Sequence, residues 1–295
     1  MSLTVSRLTP FLVFVLVQDC PAINPIVQTI YTADPAPLVH GDTVYLYAGH
    51  DEDDALHYKM LDWRLFSSKD MVNWTDHGSP LSLEDFSWAN SSAWAGHTIE
   101  RDGKFYWYVP VGQTSGGMAI GVAVAGRPTG PFKDPLGKPL VFDNFGDIDP
   151  AAFIDDNGQA YLMWGNPTYK YVKLNEDMIS YDKSFADNGI FRHPMTVEAF
   201  GKRTTPDRPS SFEEGPWIYK RNGTYYNFFA GGPVPEHLAY STGPSPDGPW
   251  TYGGVIMPTT PTGLYSTVVR NPSLGCSTSC CPRTSSFSAR PAYMS

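Results

Sequence analysis

The chain has 295 residues, 41% of them hydrophobic and 14% aromatic, enough for one large core or two small ones. Its formal net charge of −9 repels phosphate backbones and argues against nucleic acid as a partner, leaving neutral ligands such as sugars open. With 27 Gly and 27 Pro beside 17 Tyr, 16 Phe and 8 Trp, turns should be many, which favours an all-β domain or an aromatic-lined groove.

The N-terminus reads as a secretory signal over residues 1–22. The apolar run Phe11 to Val17 follows a single early charge, Arg7, and Cys20-Pro21-Ala22 offers small residues for cleavage. That run is too short to span a bilayer, and no other stretch resembles a transmembrane span. Three sequons, at Asn73, Asn90 and Asn222, fit secretion. Of the four cysteines, Cys276, Cys280 and Cys281 crowd the last 20 residues and only Cys20 lies elsewhere. That is no disulfide framework for a core, and without nearby histidines it is no zinc site.

Four hairpin-like strands then recur: 43–47, 104–108, 160–164 and 224–229, each after a turn (HGD, RDG, DNG, RNG). About eleven residues before the first aromatic of each strand stands a marked residue: Asp34, Trp94, Asp149 and Glu214. These lie 60, 55 and 65 residues apart, a period that suits a four-stranded sheet. Later strands of the units recur as well, ahead of stretches such as PTGPFKDP and SPDGPWTYGG. Four-stranded units set around an axis make a β-propeller, spanning 23–265 here. A fifth unit should begin near 270–280, but residues 266–295 are rich in Ser and Cys and lack hydrophobic alternation. The propeller therefore has four blades, or its last blade is missing or replaced by an irregular tail.

The first strand of each propeller blade lines the central axis, so the residues opening those strands converge. Asp34, Asp149 and Glu214 should meet there. Crowded carboxylates repel, so one keeps its proton near neutrality while another ionises, as glycoside hydrolysis requires of an acid and a base. Trp94 would offer an apolar face to a sugar ring, and His50 and His97 are further candidates for the pocket. The prolines after Asp34 and Asp149 should bias both aspartates to an extended backbone and so aim their carboxylates. Asp147 and Glu213 read as structural partners, and Asp155 and Asp156 as turn formers. The run Asp51 to Asp54 lacks the spacing of a calcium loop. No nucleophile elbow, phosphate loop or zinc-protease histidine pair is present.

Three blocks carry a resemblance: YTADPAP (31–37), DIDPAAFIDDNGQAYLMWG (147–165) and FEEGPWIYKRNGTYY (212–226). They resemble the catalytic blocks of glycoside hydrolase family 43, five-bladed β-propeller enzymes that include β-xylosidases and α-L-arabinofuranosidases acting on arabinoxylan and arabinan. The resemblance runs from about Asn24 to Pro258. It implies that Asp34 is the general base, Asp149 tunes and orients the acid, and Glu214 is the general acid, with Glu213 the second choice. It implies inversion, hence acid and base about 6.5–9.5 Å apart, and it makes Trp94 the hydrophobic wall of the sugar subsite. No cofactor is required for the chemistry and no catalytic metal is expected, while a structural calcium ion in the channel is compatible with the resemblance. The expected partner is a plant cell-wall polysaccharide or oligosaccharide, met by a secreted monomer. The family's fifth blade usually brings an Asn-His stretch and a late arginine, which 271–295 does not match. That departure supports an alternative, a carbohydrate-binding propeller or truncated paralogue without turnover.

Overall fold

The computed structural model describes residues 26–259 except 54, 56 and 57. The segments expected to be a signal peptide (1–22) and an irregular tail (266–295) lie outside these residues.

The described chain is built from antiparallel sheets, and alternation decides their faces: along Thr224–Gly231, Tyr225, Asn227 and Phe229 are buried while Tyr226 and Phe228 are half-buried. Blade 1 comprises β1 (Thr32–His40), β2 (Thr43–Asp51), β3 (Met60–Ser68) and β4 (Thr75–Asp76), with β5 (Leu81–Ser82) also paired to β3. Blade 2 comprises β6 (Ala89–Ser91), β7 (His97–Arg101), β8 (Lys104–Gln113) and β9 (Met118–Ala125). Blade 3 comprises β10 (Ala151–Ile154), β11 (Ala160–Trp164), β12 (Lys170–Leu174) and β13 (Phe191–Arg192). After a one-turn helix, Val197–Phe200, blade 4 comprises β14 (Phe212–Arg221), β15 (Thr224–Gly231), β16 (His237–Gly243) and β17 (Thr251–Met257). The four inner strands follow one another round an axis, with β1 against β7, β7 against β10 and β10 against β14.

Three buried cores cement consecutive blades. Tyr47, Trp63, Leu65 and Trp107 join blades 1 and 2. Tyr108, Val122, Leu162 and Trp164 join blades 2 and 3. Tyr169, Phe200, Phe212 and Phe229 join blades 3 and 4. Among the described residues no such core joins blade 4 to blade 1. The four blades are the whole of the described propeller, and the position expected for a fifth unit, near 270–280, lies outside the described residues.

Register defines one functional end. Thr32 pairs with His50, Ala151 with Met163 and Phe212 with Gly231. The starts of β1, β10 and β14 therefore lie beside the ends of β2, β11 and β15. The tight turns at 41–42, 157–158 and 222–223 close the opposite end. No described helix is long and apolar enough to cross a membrane.

Candidate active site

At the functional end Asp34, Asp149 and Glu214 line one cavity of about 120 Å³ with His97, Trp217, Phe228 and His237. What aims the acids differs from the extended backbone expected before proline. Asp34 has φ of 51° and Asp149 of 55°, both in the left-handed region. Around Asp34 the β1–β2 register slips between Ala33 and Ala36, a bulge that turns the side chain toward the axis. In blade 4 the same device is displaced by one residue. Gly215, before Pro216, takes the positive φ of 64°, and the register slips on both sides of Glu214. The Asp34-Pro35 and Gly215-Pro216 pairs thus mark bulges, while Asp149 takes its left-handed turn just ahead of β10. The strain of a left-handed aspartate is a cost the surrounding sheet overcomes.

The acids raise one another's pKa. Glu214 is held above the usual carboxyl range first by burial and then by the charge of Glu213, while Asn166, whose Nδ2 donates to Glu214 Oε2 at 2.6 Å, opposes the rise. Burial, then Glu214, Asp34 and Glu236, push Asp149 well up, against a hydrogen bond from the Gly215 N–H. Asp34 is pushed up to about 7 by the protein packed round it and then by Glu214 and Asp51. Its side chain is nevertheless open to water in the channel, which tempers that shift. Glu213 is spoken for: buried, it receives Arg203 at 2.5 Å and also Arg208. Asp147, wholly buried, accepts from Trp164 Nε1 at 2.8 Å and Lys170 Nζ at 2.9 Å.

The other sequence candidates divide. His97 lines the cavity, packs edge-on against Trp217 with ring centroids 4.5 Å apart, and burial depresses its pKa to about 4, so it is neutral. Trp94 stands beside the lining rather than in it: half-buried, it precedes Ala95 and Gly96, and its Nε1 donates to the Tyr58 carbonyl at 3.2 Å. His50 is not among the lining residues, because its Nδ1 is turned to Asp62 at 2.6 Å. With Glu52, His50 and Asp62 form the single cluster among the described residues whose ligand atoms lie within 4.8 Å of one another, but it shows no sign of a metal beyond that spacing. A directly ligated calcium ion does not fit the channel at His97: its Nδ1 accepts from the Ala152 N–H at 3.3 Å, so Nε2 carries the proton and is no ligand.

Sequence reasoning passed over Asn166, Trp217, His237 and Glu236. Asn166 sits in a connection without periodicity, and Trp217 follows the acid inside a block read for its carboxylates alone. His237 fits because Gly231 faces it: a Cβ there would stand 2.4 Å from Nε2. Glu236 is 3% exposed, and burial and the neighbouring Glu214, Glu213 and Asp34 push it up to about 9. Nothing in GGPVPEH marks it.

The family model "Glycosyl hydrolases family 43" matches residues 22–268. Similar curated proteins include a xylosidase/arabinosidase of Humicola insolens, 32% identical over 79% of this chain and 82% of its own length. Another, a xylosidase/arabinosidase of Bacteroides ovatus, is 33% identical over 77% of this chain and 78% of its own. An arabinoxylan arabinofuranohydrolase of Bacillus subtilis is 32% identical over 79% of this chain and 51% of its own. Among solved structures, a β-xylosidase/α-arabinofuranosidase from a compost metagenome superimposes with a TM-score of 0.68 at 29% identity over 80% of each chain.

Proposed function

The chain belongs to glycosyl hydrolase family 43 and is a glycosidase, and from that premise we propose that it releases arabinose or xylose from arabinoxylan, arabinan or xylo-oligosaccharides with inversion. The observation that carries this reading is the convergence of Asp34, Asp149 and Glu214 on one cavity. Relatives named for hydrolysing these substrates support it over a propeller that binds sugar without turnover.

In the proposed mechanism Asp34, ionised, takes a proton from water, whose oxygen attacks the anomeric carbon. Glu214 gives its proton to the departing glycosidic oxygen as the bond breaks. Asp149 acts through Glu214: its proximity disfavours a second charge and so keeps the proton on the acid. The bond from Asn166 compensates the charge Glu214 acquires as it gives up the proton. Proton exchange with solvent resets both groups. No cofactor enters any step. We further propose a secreted monomer; all three sequon asparagines, Asn73, Asn90 and Asn222, are exposed, which supports passage through a glycosylating pathway. The fifth unit that the family reading expects near 270–280 lies outside the described residues.

The test is hydrolysis of 4-nitrophenyl arabinofuranoside and xyloside by the wild type, Asp34→Ala and Glu214→Ala. Each variant should lose about 10²–10⁴-fold in kcat/KM. Equal rates in all three proteins would overturn the assignment. Proton NMR of the first-formed anomer tests inversion.

A further inference from the structure

Asp149 and Glu214 are carried by neighbouring blades, and the ladders of those blades hold them only in part. Asp149 stands ahead of β10, which begins at Ala151, and the register of β14 slips on both sides of Glu214. β10 is the first strand in the order of its sheet, so one of its edges has no strand of that sheet to pair with. A backbone N–H on such an edge, once buried, needs a partner from elsewhere.

One side chain reaches both acid-bearing strands. His97 opens β7 in blade 2 and is 6% exposed. Its Nδ1 accepts from the N–H of Ala152 at 3.3 Å, and Ala152 is paired within its own sheet to Leu162. The same ring meets Trp217 of β14 with centroids 4.5 Å apart and planes at 73°. Ala152 lies three residues past Asp149, and Trp217 three past Glu214. The histidine therefore braces the two strands at matched distances from their acids. Burial keeps the imidazole neutral, so it adds no charge beside them.

We propose that His97 is a positioning residue: from a third blade it ties β10 to β14, fixes the approach of Glu214 to Asp149, and acts on leaving-group protonation through Glu214. This rests on the glycosidase reading above and gives the histidine a part in that reaction other than contact with the sugar. A general acid works only within hydrogen-bond reach of the oxygen it protonates, and a misplacement on the order of 1 Å costs about 10²-fold. Without the brace β10 and β14 relax apart and water enters between the acids. Glu214 then loses part of the burial that holds its pKa up. Neither contact of the brace involves β1, which carries Asp34, so base catalysis is spared.

Two substitutions take the brace apart. His97→Asn keeps an acceptor for the Ala152 N–H and loses the ring, whereas His97→Phe keeps a ring for Trp217 and loses the acceptor. Each is assayed on a xylan- or arabinoxylan-derived oligosaccharide and on the 2,4-dinitrophenyl glycoside of the released sugar, whose leaving group departs without a proton from the enzyme. In both variants kcat should fall about 10²-fold on the oligosaccharide and far less on the activated glycoside, with KM little altered. Equal losses on the two substrates would make His97 a purely structural residue and overturn the proposal. NMR of carbon-13-labelled glutamate carboxyls, with Glu214 assigned through Glu214→Gln, reads the brace without turnover. The Glu214 midpoint should move to lower pH in both variants, and an unmoved midpoint overturns the proposal. A wild type inactive on both substrates would sink the glycosidase assignment instead, while the titration still decides the brace.

Discussion

Asn166 reaches from blade 3 to blade 4: its Nδ2 donates to Glu214 Oε2 at 2.6 Å. The bond favours the ionised carboxylate and so lowers a pKa that burial and Glu213 raise. In Asn166→Ala the opposing effect is gone and Glu214 holds its proton to higher pH. Since the acid must be protonated to act, the alkaline limb of kcat/KM moves up. The rate at the optimum falls, because the carboxyl loses its orientation. A pH profile of the variant superimposed on that of the wild type would refute this.

Glu213 and Glu214 are adjacent in sequence and opposite in consequence. Glu213 is sealed between Arg203 and Arg208, whereas Glu214 faces the cavity. Glu213→Gln leaves two guanidinium groups short of an acceptor, one of them on the buried Arg203. Breaking a buried pair costs about 3–5 kcal/mol. The variant should melt well below the wild type yet keep measurable turnover at low temperature. Glu214→Gln should melt near or above the wild type and lose turnover. Calorimetry paired with the chromogenic assay separates the two, and a Glu213→Gln protein of unaltered stability would contradict the role given to the ion pairs.

The blade count over the described chain, the converging acids and the hairpin turns were legible in the sequence because each repeats: a turn dipeptide, an aromatic strand and a marked residue recur in register. The pattern reports strand ends, and Asp34, Asp149 and Glu214 sit at strand ends. What did not repeat could not be read. Asn166 and Glu236 lie in connections whose course depends on neighbouring blades. Trp94 kept its place in the repeat, but blade 2 opens on Gly96-His97 instead of a residue-proline bulge, so the residue that reaches the cavity is His97. His50 was misjudged because its partner, Asp62, is twelve residues on and across the β2–β3 pair. The proline rule failed at Asp34 and Asp149 for a local reason: the chain turns there through a left-handed residue, at a bulge in the first case and just ahead of β10 in the second, and aspartate tolerates that conformation better than most.

Lys170 is 1% exposed and bridges Asp147 at 2.9 Å and Asp143 at 3.0 Å, pinning the segment that ends in Asp149. Lys170→Met removes the cation and leaves Asp147, which has no exposure of its own, with only neutral donors. The expected loss is about 3–5 kcal/mol, a drop in Tm on the order of 10 °C for a domain of this size. Activity per folded molecule should fall too, as Asp149 loses its anchor. A double variant, Asp147→Asn with Lys170→Met, should recover part of the stability, since it removes both charges. Thermal melts of the two proteins supply the check, and no recovery in the double variant would assign the loss to packing instead.

Glu236 gives the stability of the protein a pH dependence of definite sign. Its folded pKa, about 9, stands above that of a carboxyl in the unfolded chain. Between those values the folded state binds the extra proton, so stability declines as pH rises from about 4.5 toward 9 and the stabilising contribution is full only below that window. Asp34, raised to about 7, adds a decline of the same sign over the lower part of the range. Glutamine at 236 keeps the volume and carries no charge at any pH. Glu236→Gln should therefore melt close to the wild type at pH 5 and above it at pH 9, by about 5 °C. The carboxyl has no hydrogen-bond partner among the described residues, and its Oε2 is a buried orphan, so little is lost when the amide replaces it. Melting curves at the two pH values decide the matter: a variant less stable than the wild type at pH 9 would mean that Glu236 is ionised and paired in the folded protein, and the crowding of carboxyls around Glu214 would need a different account.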